Sequence, residues 1–81
     1  MTKLPEWFDG ELYEKGDEVT NRFSGEKYTL TAEELSMYDF IMGAQIMMET
    51  GMGNELMITE MRRGLDWFRK NNSKAYMVLL D

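Results

Sequence analysis

The chain contains neither cysteine nor histidine, and these two absences exclude more chemistry than any residue present introduces. Without thiols there are no disulfide staples, no thiolate zinc site and no sulfur nucleophile. Without imidazole there is no ordinary acid or base near neutral pH and no Glu-x-x-His arrangement for a carboxylate-bridged metal pair. Catalysis would fall to carboxylates, lysine, tyrosine or an unassisted hydroxyl, so a small carboxylate-dependent enzyme ranks last among the readings. No twelve-residue calcium loop is present, and Gly51-Met52-Gly53 lacks the lysine and the preceding strand of a phosphate loop. No cofactor, metal site or catalytic residue is expected. A charged-then-apolar leader and a long uncharged apolar run are also lacking, which leads us to expect a soluble cytoplasmic chain without membrane contact.

Positive charge is scarce as well. Nine bases face fifteen acids, giving a net charge of −6, the wrong sign for direct nucleic-acid binding. Residues 1–61 hold thirteen acids and four bases, whereas 62–81 hold five bases (Arg62, Arg63, Arg69, Lys70, Lys74) and two acids. The plain reading of this polarity is a solvated acidic surface with bases toward a helix C-terminus. The sharper reading is charge complementarity between copies. Asp66 is spaced to pair with Arg62, Arg69 and Lys70 within one helix.

What is abundant is methionine, with nine in 81 residues, and the densest apolar stretch is TAEELSMYDFIMGAQIMMETG, Thr31 to Gly51. Thr31 and Glu34 have capping-box spacing, and Gly51 can take the left-handed position after the last turn, which predicts a helix over 31–50. At roughly 100° per residue, Met37, Phe40, Ile41, Ala44, Met47 and Met48 share one broad side, and Leu35, Tyr38, Met42 and Ile46 a second. Ser36, Asp39, Gly43 and Thr50 lie in a narrow polar stripe between them. A helix apolar nearly all round needs cover nearly all round, and an 81-residue chain has little surface to spare. Met37, Phe40, Ile41, Met47 and Met48 are therefore the candidate interface, and Ser36 with Asp39 a possible polar site. Methionine pairs at helical spacing can ligate copper(I), but they more commonly fill irregular packing or make adaptable surfaces.

Around this helix the other segments read in order. Residues 1–16 form an extended arm, with a turn at Asp9-Gly10 and with Trp7, Phe8, Leu12 and Tyr13 pinned onto the body or a neighbour. Residues 17–30 form a β-hairpin with Gly25 at positive φ in its loop; Val19, Asn21 and Phe23 share one face, and Asn21 is a bulge or edge position whose amide meets backbone groups. A helix over 54–71 is capped by Asn54, and Met57, Ile58, Met61, Leu65 and Phe68 make its apolar stripe. Leu56 and Trp67 lie off that stripe, as cover for the arm or as exposed anchors. Residues 73–80 favour a short helix over a strand, because a cap precedes them and Val78 is their one β-branched residue.

The segments ELSMYDFIMGAQ and GLDWFRKNNSKAYMVLLD, with the turn FSGE, resemble a set of small uncharacterised proteins of tailed cyanophages. The resemblance covers most of the chain and implies a setting, the cytoplasm of an infected host, where such proteins bind host or phage proteins. It carries no activity, cofactor or site residue.

The expectation is thus a single α+β domain, an N-terminal arm and β-hairpin packed on an antiparallel two-helix hairpin with a short C-terminal helix. The leading functional expectation is a non-enzymatic interaction module that self-associates, most simply as a dimer, through helix 31–50. The alternative is an acidic regulator that binds a host enzyme or nucleic-acid protein.

Overall fold

Two short strands, β1 (Asp17–Thr20) and β2 (Lys27–Leu30), pair antiparallel with Val19 opposite Tyr28 and Asp17 opposite Leu30. They precede three helices, α1 (Ala32–Glu49), α2 (Glu55–Asn71) and α3 (Ser73–Leu79). This arrangement, the α+β order expected, comes from a computed structural model that describes residues 3–8, 10–21 and 23–80. The turn read at Asp9-Gly10 includes a residue outside that set.

Local chemistry explains each boundary. Asn21 closes the hairpin loop: its N–H donates to Glu26 O at 2.7 Å, its carbonyl accepts from Gly25 at 2.8 Å, and its Oδ1 accepts from the Phe23 and Ser24 amides. Gly25 takes φ +79°, which a side chain would strain. The Asn21 amide group then reaches across the fold and donates to Val78 O at 2.8 Å, in the last turn of α3. Phe23 departs from expectation. The loop takes it out of strand alternation, and it is largely exposed rather than inward with Val19.

Thr31 and Glu34 form the expected reciprocal capping box, typically worth about 1 kcal/mol. At the other end of α1 the Met52 amide reaches Met47 O and the Gly51 amide reaches Met48 O, with Gly51 at φ +79°. This is a Schellman ending, and it turns the chain back within five residues. Asn54 Oδ1 accepts from the Met57 amide to start α2, and Asn72 Oδ1 does the same for the Ala75 amide at the start of α3.

The core consists of Leu30, Met37, Ile41, Phe68, Ala75 and Leu79. Phe68 alone, fully buried, contributes about 3 kcal/mol of hydrophobic transfer. α2 lies close against α1 because position 64 is glycine. A Cβ there would stand 3.1 Å from both Ile41 Cγ1 and Met37 Sδ. Gly64 thus faces Met37 and Ile41 while Met57 lies near Met47, so the two helices run in opposite directions.

Two features of α1 correct the sequence reading. Met37 and Ile41 are 0% exposed within the single chain, so they belong to the core and offer nothing to a partner. Ser36, assigned to a polar stripe, is 1% exposed because its hydroxyl accepts from the Tyr13 amide at 3.0 Å and donates to Ala32 O at 2.8 Å.

The arm supplies that cover. A turn closed by the Phe8 amide and Pro5 O sets Trp7 and Phe8 against Phe40, with ring centroids 6.0 and 5.4 Å away. Trp67 Nε1 donates to Lys3 O at 3.2 Å, so Trp67 covers the arm, one of its two expected roles. Leu12, by contrast, is exposed. Gly16 lets the chain enter β1 close beside the end of β2, since a Cβ there would collide with Leu30 O.

Candidate functional site

The five residues of the expected interface separate into different environments. Met37 and Ile41 are interior, Phe40 is half-buried under Trp7 and Phe8, and Met48 is half-buried where Gly53 of the α1–α2 loop closes on its Cγ. Of the five only Met47 is exposed, and with Phe40 it lines a groove rather than a flat face. The reason lies outside the helix: α1 has four neighbours, and its apolar excess is largely consumed by α2, α3, the hairpin and the arm.

The groove lies where the C-terminal half of α1 meets the N-terminal turns of α2 and the arm crosses them, and its volume is about 400 Å³. Phe40, Ala44 and Met47 from α1 and Leu56 and Met57 from α2 make it apolar. Leu56 is 68% exposed, the opposite of the cover that Trp67 gives the arm. Gly43 leaves a gap in the α1 wall, with open space where a Cβ would be. Among the described residues three carboxylates, Glu11, Asp39 and Glu60, line the same groove, and no lysine or arginine does. Among the described residues none of these three has an ion-pair partner, whereas Glu18 pairs with Lys27 and Asp66 with Arg69 and Lys70.

Ser36 and Asp39, read from the sequence as a possible polar site, both hold Tyr13. Ser36 fixes its backbone amide, and the Asp39 carboxylate accepts from its hydroxyl. Partial burial of the ring, then the charges of Asp39 and Glu11, then this hydrogen bond push the Tyr13 hydroxyl above its ordinary pKa. Asp39 is exposed, and its partner among the described residues is the Tyr13 phenol. On the opposite side of the molecule, hydrogen bonds from Lys70 and then Arg69 lower the Asp66 pKa. Two of the three intrahelical pairings anticipated for Asp66 are thus present, and none with Arg62 is found among the described residues.

On the second apolar side of α1, Leu35, Tyr38 and Met42 are half-buried and Ile46 is exposed. Met42 lines a smaller cavity of about 190 Å³ with Leu65, Tyr76 and Leu79. Among the described residues no three acidic, histidine or cysteine side chains come together as a metal-binding set, and no buried side-chain nitrogen or oxygen lacks a hydrogen-bond partner. No described helix is long and apolar enough to cross a membrane. No family model, curated protein or solved structure matches the chain.

Sequence reasoning missed the groove because its members come from three segments. Gly10 and Glu11 were part of an arm without period, Gly43 read as polar stripe, and Leu56 was an outlier from its own helix. The available signal was that Leu56 did not fit the α2 stripe.

Proposed function

We propose that this protein is a non-enzymatic interaction module that receives a protein partner in the groove between α1 and α2. The observation that carries the reading is the combination of Met47, Leu56 and Met57 around an open depression with three carboxylates that have no ion-pair partner among the described residues. Flexible thioethers beside a branched apolar anchor suit a surface that adapts to another chain. The resemblance to cyanophage proteins supports a setting in the host cytoplasm, with a host or phage protein as partner.

A photo-crosslinking residue placed at Leu56, and in a separate variant at exposed Thr29 on β2, tests the reading in the cells that make the protein. A discrete adduct from position 56 and none from position 29 is the expected result. Equal adducts from both positions, or none from either, would count against it.

Self-association is the second reading, favoured by one observation. Lys74 and Met77 are both exposed at i, i+3 spacing on α3, with Met77 66% exposed. This basic, apolar face can meet the acidic groove of another copy head to tail, at the far end of a 17-residue α2. Sedimentation across micromolar concentrations would reveal it. A chain that stays monomeric and whose Lys74→Glu variant behaves identically removes this reading and the expected dimer with it.

A further inference from the structure

The proposed docking role leaves the occupant open, and the chemistry of the groove narrows it. We infer that the groove between α1 and α2 binds a cationic amphipathic helix from another protein, its apolar side chains against Phe40, Met47 and Leu56 and its lysines or arginines toward Glu11, Asp39 and Glu60. This rests on the interaction-module reading above.

Three observations select that occupant. The rim carries three carboxylates with no ion-pair partner among the described residues, and no described lysine or arginine lines it, so a cation entering there meets net negative charge. The chain as a whole is −6, which attracts a basic partner over long range and opposes a second acidic copy. The groove walls are helix and arm side chains and contain no strand edge. An extended peptide would leave its own backbone N–H and C=O groups without a ladder to join, whereas a helix satisfies them internally. Gly43 adds a geometric fit: the space beside it lets a bulky side chain of the incoming helix come close to the α1 backbone.

The test uses the full chain and three synthetic peptides of one length. One is a leucine/lysine sequence with leucines on one helical face, the second the same composition scrambled out of helical register, and the third the first with glutamate for lysine. Calorimetry should give binding of the amphipathic lysine peptide at least about tenfold tighter than either other peptide, with affinity falling as salt rises past roughly 0.15 M. Gly43→Leu starts its side chain in open space and puts a bulky group in the groove, so it should keep or raise the melting temperature while weakening binding by about tenfold or more. Glu11→Lys with Glu60→Lys should weaken it similarly.

Equal binding of the scrambled peptide would reduce the effect to general polycation attraction and overturn the inference, as would unchanged binding by folded Gly43→Leu. Broadening of the Met47 methyl resonance with protein concentration alone, relieved by dilution and not by the peptide, would assign the groove to a second copy. If position 56 crosslinks to a partner in cells while the peptides show no lysine preference, the module reading stands and the cationic helix falls. If both experiments are negative, both readings fall.

Discussion

At Asn72 one short amide side chain joins three elements of the fold. Its Oδ1 caps α3 through the Ala75 amide and accepts from the Tyr28 hydroxyl of β2 at 3.4 Å, while its Nδ2 donates to Glu34 Oε2 at 2.9 Å. Glu34 is itself buried and committed through Oε1 to the Thr31 amide. Asn72→Ala removes the cap and strands one oxygen of an interior carboxylate, so we expect a loss of about 2–3 kcal/mol in urea unfolding. The sequence signalled Asn72 only as a chain break and cap, because a carboxylate 38 positions away leaves no local trace. Tyr13 gives a second test at this scale. Its hydroxyl titrates above the ordinary value, so the folded state holds that proton more tightly than the unfolded chain. The associated stability is fully present below pH ~10 and is lost as pH rises through the folded value. Asp39→Asn should lower the Tyr13 midpoint, read as the tyrosinate absorbance that Tyr13→Phe deletes.

Among the elements, the two helical glycines at positions 43 and 64 make opposite predictions from the same intrinsic propensity. Either Gly→Ala change gains about 0.5–1 kcal/mol of backbone preference in a helix interior. At Gly43 the new methyl enters open space, so Gly43→Ala should raise the melting temperature by the full effect. At Gly64 it meets Ile41 Cγ1 and Met37 Sδ at 3.1 Å, and overpacking of roughly 1–3 kcal/mol should exceed the gain. Thermal unfolding of the pair measures the difference directly. The caps, the ends of α1 and α2 and the helical state of 73–80 were legible in the sequence, because each depends on residues within one turn of the boundary. The roles of Gly43 and Gly64 were not, since a glycine carries no side chain to indicate which neighbour it admits. The same limitation misplaced Met37 and Ile41: an apolar face can be read from period alone, but its covering neighbour cannot.

For the whole molecule, the arm is part of the fold's apolar economy. Phe40 is covered by Trp7 and Phe8, and Trp67 is tied to Lys3. Removing residues 1–13 would expose Phe40 and Trp67 together. We expect the truncated chain to keep its helical circular dichroism, to unfold at lower urea and to bind a hydrophobic dye more strongly than the full chain does. It should also self-associate more strongly, which matters for any assay of oligomeric state made on shortened material. That an arm with these aromatics would be pinned was legible from its composition. Which helix received it was not, because residues 1–16 show no period to match against α1.

The Asn21–Val78 hydrogen bond links positions 57 apart in the chain, and that separation bears on the order of events in folding. The hairpin loop can form on its own from Asn21, Gly25 and Glu26, but its attachment to the end of α3 requires nearly the whole chain to be in place. An interaction that closes so large a loop is expected to form after the rate-limiting barrier. Asn21→Asp keeps the Oδ1 acceptor for Phe23 and Ser24 and deletes the donor to Val78. In stopped-flow measurements it should accelerate unfolding several-fold while leaving the refolding rate nearly unchanged, so that this single amide governs how long the native chain persists more than how fast it is reached.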